Sequence, residues 1–257
     1  MSGSSEIGLL FGTVADLYDD IRPDYPDELY DAMEAVTGRF EGLAVLDLAA
    51  GTGLQNRAIA GRGARLVAVD PDIGMLRRLR AKSPGVPAVV GRGEAIPLRD
   101  GTVDLVVCAT AWHWLHTAEA VEEVRRVLRP GGHLAVWWAN NNWGDGIEWE
   151  DAQSAVYDRW NSVQGSVPPT HDGVGPRDAA ADLRDRGLNV IVDREFNWTR
   201  MVTRAEHLQM LGTHSNNLVL SEPDRRALLS EIEAALQPWP VVTERLWGPL
   251  VVAAFPG

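Results

Sequence analysis

The sequence predicts an α/β fold, a mostly parallel sheet with helices on both faces, and three observations predict it. From residue 44 onward, short apolar runs alternate with amphipathic stretches of helical period. Those apolar runs are continuous, as in strands buried on both faces. The first of them, Val45-Leu-Asp-Leu-Ala-Ala-Gly-Thr-Gly-Leu54, passes through a small-residue turn into a helix and returns as a second apolar run, Leu66-Val-Ala-Val-Asp70. That order is a βαβ unit.

The elements follow in turn. Residues 1–42 read as helices: Phe11, Val14, Ala15 and Tyr18 recur at helical spacing, and Asp27 is placed to cap the next helix. Strands are expected at 44–48, 65–70, 86–90, 103–108 and 133–139, with helices at 53–61, 72–82 and 117–129. Residues 140–176 break the rhythm with Asn-Asn-Asn, Gly-Asp-Gly and Pro168-Pro169. They read as an insertion after strand five, helical near Glu148–Trp160. A helix at 177–187, a strand at 189–198, helices at 203–212 and 222–236 and a strand at 244–255 complete the chain. No repeat, low-complexity tract or linker divides it, so residues 1–257 read as one domain.

Composition narrows the function. The net charge of −12 argues against a nucleic-acid partner, because neutralising phosphates takes a basic surface. Arg77-Arg78-Leu-Arg80 has helical spacing and reads as a solvated face. No apolar run approaches the roughly 18 residues of a membrane span, and the first residues have no signal-peptide pattern. The single cysteine, Cys108, lies inside an apolar strand; with no disulfide framework possible in one chain, a cytoplasmic location is expected. Ten tryptophans are present, and Trp112, Trp114, Trp137, Trp138 and Trp143 fall near strand ends, where α/β sheets bind ligands. Oligomeric state is not set by any of this.

The turn after the first strand points to a nucleoside ligand. Gly51 and Gly53 have no Cβ to block a close approach or to forbid positive φ. Asp70 follows Ala49 at close to the spacing of about 20 at which a carboxylate meets both ribose hydroxyls. A dinucleotide fingerprint needs a third glycine where this chain has Asn56, and Asp47 would repel a phosphate while suiting an ammonium or sulfonium. NAD is therefore disfavoured, and a tight turn without a ligand is the plain alternative.

Asp47-x-x-x-Gly51-x-Gly53 resembles motif I of the class I S-adenosylmethionine-dependent methyltransferases, and Val67-Ala-Val-Asp70 resembles their motif II. Gly91-Arg-Gly-Glu94-Ala-Ile-Pro97 through Ala109 is similar to their adenine loop and fourth strand, and Leu128-Arg-Pro130-Gly-Gly132 to their turn into strand five. Tyr18-x-x-x-Arg22-Pro-x-Tyr25-Pro, Ala111-Trp-His113-Trp114-Leu and Trp138-Ala-Asn140 resemble the methyltransferase type 11 group and its trans-aconitate methyltransferase-like members.

The resemblance implies a Rossmann-like methyltransferase fold with a seven-stranded, mostly parallel sheet whose last pair includes an antiparallel strand. It also implies a helical cap built from residues 1–42 and 140–176. The implied cofactor is S-adenosyl-L-methionine, leaving as S-adenosyl-L-homocysteine, with transfer to oxygen or carbon of a small-molecule acceptor, a specialised metabolite for example. Nitrogen is less favoured, because the Asn-Pro-Pro-Tyr type of motif is absent. Asp47, Ala49, Gly51, Gly53, Asp70, Pro71, Gly93, Glu94 and Ala109 would contact the cofactor, and Tyr18 and Arg22 would close over it. Ala49 stands where relatives usually have glycine, which requires a negative φ. Arg92 stands where many relatives have an acid. His113, after strand four, is the candidate general base, with Tyr18 beside it in the catalytic set. Trp112, His116 and Asn140, with His113, would meet the acceptor, and Tyr18 or Trp112 could face the sulfonium. His113 and His116 lack further ligands at metal spacing, so no metal is expected. Two other readings keep the same site: a non-methylating enzyme such as a cyclase or hydratase, and a cofactor-binding regulatory protein.

Overall fold

The computed structural model describes residues 9–142, 146–164 and 174–255. Its chain divides into two compact units. One comprises Asp24–Ala139, Asp172–Phe196 and Trp247–Gly257, the other Met1–Pro23, Asn140–His171 and Asn197–Leu246. Trp143 and the Pro168-Pro169 loop lie outside the described residues.

The first unit holds the βαβ series. Strands β1 (Ala44–Leu48), β2 (Arg65–Asp70), β3 (Ala88–Val90), β4 (Val103–Ala109) and β5 (Leu128–Trp137) alternate with helices α3 (Leu54–Gly61), α4 (Ile73–Lys82) and α5 (Thr117–Val127). Helix α2 (Asp27–Thr37) precedes them, and α7 (Ala179–Asp185) leads into β7 (Asn189–Thr203). β1 pairs in parallel with β2 and β4, and β5 pairs antiparallel with the last strand, β8 (Val241–Ala254), through Trp137 opposite Leu250. The sheet order is β3-β2-β1-β4-β5-β8-β6, with β7 on β8. It has eight strands, one more than the sequence suggests, because the two residues Asn140–Asn141 pair as β6.

Local chemistry explains the boundaries. Asp72 caps α4 by accepting from the Gly74 and Met75 N–H groups. Asp27 is not a cap; Pro26 holds that position, and the Asp27 carboxylate pairs with Arg62 at 3.0 Å. Leu46, Val106, Cys108, Val124, Leu134, Val136 and Leu183 share one apolar core, so Cys108 is buried as expected.

The other unit has its own core, with Ile21, Trp149, Val156, Met210, Leu228 and Ile232. It gathers α1 (Ala15–Ile21), α6 (Glu148–Gln164), α8 (Arg204–Gly212), α9 (Ser215–Leu218) and α10 (Glu222–Ala235). A Thr203–Glu206 capping box starts α8, and Ser221 caps α10. Its third segment, Asn197–Leu246, was not anticipated as a partner of the other two. Among the described residues no helix is long and apolar enough to cross a membrane.

Candidate functional site

Parallel strands deliver their C-terminal ends to one edge of the sheet, where α/β folds bind ligands. At the end of β1, Asp47 is wholly buried. Its Oδ1 accepts from the Gln55 side chain at 2.6 Å, whereas its Oδ2 meets no hydrogen-bond donor among the described residues. Burial, with Asp70 nearby, pushes its pKa up to about 8, against the pull of Gln55 and of the nearby Asn56 amide. Thr52 Oγ1 and both amide atoms of Asn56 are likewise buried without partners among the described residues. Such a cluster is costly unless something polar joins it.

Asp70, at the end of β2, ties the turn together. Its Oδ2 accepts the Gly51 N–H and its Oδ1 the Asp72 N–H, each at 2.8 Å. Burial raises its pKa to about 6 despite those bonds. It is not the cap of α4, because Asp72 does that work. Pro71 is exposed beside it, and the next apolar side chain, Ile73, is 55% exposed at the first residue of α4. Sequence reasoning missed Ile73; a bulky apolar residue just past an acidic strand end was the available signal.

The two glycines of the turn differ. A Cβ on Gly51 (φ +56°) would meet nothing within 4 Å, so that face is open. One on Gly53 (φ +77°) would stand 2.9 Å from Asn56 Nδ2 and from Leu79 Cγ, so Gly53 lets α3 close on α4. Ala49 has φ +52°, which corrects the expectation of a negative value. Alanine here keeps the left-handed backbone that glycine usually supplies, at a cost of about 1–2 kcal/mol.

The adenine-loop candidates are held by packing. A Cβ on Gly93 would stand 2.9 Å from Leu115, and the Glu94 carboxylate accepts the His116 N–H at 2.9 Å. His116 is exposed at the N-cap of α5 and makes no side-chain cap. Ala109 is buried at the end of β4, and Thr110 after it has φ +51°. Thr110 Oγ1 lies 2.9 Å from the Tyr25 hydroxyl. Trp112 is wholly buried among the core residues. His113 is partly buried, and its Nδ1 accepts from the Trp138 indole N–H at 2.9 Å.

Tyr18, Arg22 and Asn140 belong to the other unit. The Arg22 guanidinium lies 4.7 Å from the centre of the Tyr18 ring, and it donates to Thr213 Oγ1 at 2.9 Å and to the Thr213 carbonyl at 2.8 Å. Arg22 thus fastens α1 to the end of α8. Asn140 Nδ2 is buried without a partner among the described residues.

Residues 46–136 match the methyltransferase domain family. An uncharacterised methyltransferase of Mycobacterium tuberculosis is 45% identical over 133 residues, which are 52% of this chain and 53% of that protein. The chain spans about half the length of the curated relatives it matches. Among solved structures, a candidate type II methyltransferase from Anaeromyxobacter dehalogenans has a TM-score of 0.65 at 23% identity, covering 92% of this chain and 99% of that one. The cyclase SpnF has a TM-score of 0.60 at 15% identity, covering 98% and 96%. The fold is therefore the Rossmann-like methyltransferase fold. Residues 46–136 therefore match a methyltransferase domain, in line with the resemblance to the class I S-adenosylmethionine-dependent methyltransferases.

Proposed function

We propose that the chain binds S-adenosylmethionine at the C-terminal ends of β1 and β2 and transfers its methyl group to an oxygen or carbon of a small-molecule acceptor. The observation that carries this reading is Asp47, a wholly buried carboxyl with one oxygen unpartnered among the described residues. An ammonium group is the partner that would hold it ionised.

The remaining residues fit the same ligand. A carboxylate has about four lone-pair positions, so Asp70, with one backbone N–H on each oxygen, keeps capacity for two ribose hydroxyls. The open side of Gly51 lets a ligand reach the backbone, and Ile73 offers an apolar face for a planar base. The Glu94 side chain is engaged with the His116 N–H, so backbone groups at Gly93 and Glu94 are the better candidates for the adenine edge. The cofactor supplies a methyl group on a sulfonium, whose departure as a thioether needs no acid. The chain's task is then alignment and exclusion of water.

Calorimetric titration of the full chain tests this. S-adenosylhomocysteine should bind and NAD should not; tighter binding of NAD overturns the reading. Transfer of label from methyl-labelled cofactor to an acceptor separates a methyltransferase from a non-methylating enzyme that keeps the site.

A further inference from the structure

Trp138 is among the most firmly held side chains of the first unit. It is 1% exposed within the main core. The ends of β4 and β5 are clamped on either side of it: the Thr110 N–H donates to the Trp137 carbonyl at 2.7 Å, and the Ala139 N–H donates to Thr110 Oγ1 at 3.1 Å. From β8, a Cβ on Gly248 would stand 1.7 Å from the Trp138 carbonyl oxygen and 2.6 Å from its carbon. The backbone approaches that peptide as closely as only glycine permits.

This fixed indole donates to Nδ1 of His113 at 2.9 Å. The two ring planes lie within 27° of parallel, with centroids 6.3 Å apart. An indole nitrogen can only donate. Nδ1 is therefore the unprotonated nitrogen of His113, and the neutral ring carries its proton on Nε2.

We propose that Trp138 is a positioning residue that locks His113 in its neutral Nε2–H tautomer, so that His113 cannot act as a general base while that bond stands. The inference rests on the methyltransferase reading above. While the Trp138 bond stands, His113 has no nitrogen to receive a proton. Nε2 already holds one, and protonating Nδ1 would set two N–H groups against each other. His113 then takes no proton from an acceptor.

Long-range proton–nitrogen NMR on the labelled full chain reads the tautomer directly, with His113→Ala to assign the ring. The expected spectrum at neutral pH has an unprotonated Nδ1, a protonated Nε2, and a Trp138 indole signal that moves when His113→Ala removes its acceptor. Protonation on Nδ1, or an indole signal indifferent to His113→Ala, overturns the lock. Trp138→Phe keeps a ring and removes the donor, and should average the two His113 nitrogen signals. Unchanged signals in a folded Trp138→Phe overturn the proposal; if that variant does not fold, the wild-type spectrum decides. Saturation with S-adenosylhomocysteine should leave the tautomer unchanged. A tautomer that changes on the saturated chain overturns the lock as a feature of the working site. Failure of S-adenosylhomocysteine to bind sinks the methyltransferase reading itself, and the tautomer result stands apart from it.

Discussion

Ala49 and Thr110 end the neighbouring strands β1 and β4 with nearly the same backbone angle, φ +52° and +51°, yet the turns they begin are held differently. After Ala49 the polar groups face inward and several lack partners among the described residues: Asp47 Oδ2, Thr52 Oγ1 and the Asn56 amide. After Thr110 several polar groups are spent on one another, through Tyr25, Ala139 and the His113–Trp138 bond, and the unpartnered groups nearby, among the described residues, are the neutral Trp112 and Trp137 indoles. The first end is incomplete by itself and fits a charged ligand. The second has more of its side-chain bonds made in advance. Strain at both positions is of the kind that concentrates at functional sites, but only Thr110 offsets it with side-chain bonds.

The comparison breaks first at Asp70. Asp70→Ala removes two proposed charge-assisted bonds at roughly 1.5–3 kcal/mol each, so affinity for S-adenosylhomocysteine should fall on the order of 100-fold. The Gly51 and Asp72 N–H groups lose their acceptor too, so melting temperature should drop in the same preparation. Unchanged affinity in calorimetry would reduce Asp70 to a brace for the turn.

The glycine pair separates ligand space from packing space. Gly51→Ala should cost cofactor affinity about tenfold or more, with a stability loss of about 1–2 kcal/mol from its backbone angle. Gly53→Ala adds a collision with Leu79 and Asn56 to the same backbone cost, so a further loss of about 1–3 kcal/mol is expected in denaturant titration. Equal stability losses in the two variants would contradict this division.

Asp47 supplies a pH signature. Its pKa of about 8 lies above the ordinary 3.8, so at pH 7 the ligand-free chain holds it mostly protonated. An ammonium ligand favours the carboxylate, so binding releases a proton below pH 8 and affinity rises toward that pH, by up to about tenfold per unit. Ligand-free stability runs oppositely. The native state keeps a proton that the unfolded chain has lost above about pH 4, so stability falls between about pH 4 and 8. Asp47→Asn should flatten both profiles between about pH 6 and 8 and leave the part below that set by Asp70; titrations in buffers of different ionisation enthalpy measure the proton directly.

The smallest effect bears on the two strained residues themselves. Ala49→Gly relieves a left-handed alanine worth about 1–2 kcal/mol while adding about 0.5–1 kcal/mol of chain entropy, for a net gain under about 1.5 kcal/mol. Thr110→Gly relieves similar strain but deletes the bonds to Tyr25 and Ala139, so it should be neutral or destabilising. A gain at both positions in thermal melts would show that the Thr110 bonds contribute nothing.

Much of the fold was legible in the chain because it is written in local pattern. Continuous apolar runs at 44–48 and 65–70 became strands with those bounds. Strand five begins five residues earlier than expected, because Leu128 already pairs with Val103; Arg129-Pro-Gly-Gly, which reads as a turn, is an irregularity after which pairing resumes at His133 opposite Leu105. Asp47, Gly51 and Asp70 were legible as site candidates because type and spacing both speak within one βαβ unit.

What the sequence determined by itself was the order of strands and helices, the turn with its carboxylates, and the family they resemble. Tertiary structure decided the rest. It put Trp112 in the core, brought Tyr25 to Thr110 and Arg22 to Thr213, and set Trp138 against His113. Periodicity records which face of an element is buried, but not which residue from a distant segment arrives to meet it. For His113 that arrival decides the chemistry, because an imidazole is base or donor according to the partner at its other nitrogen.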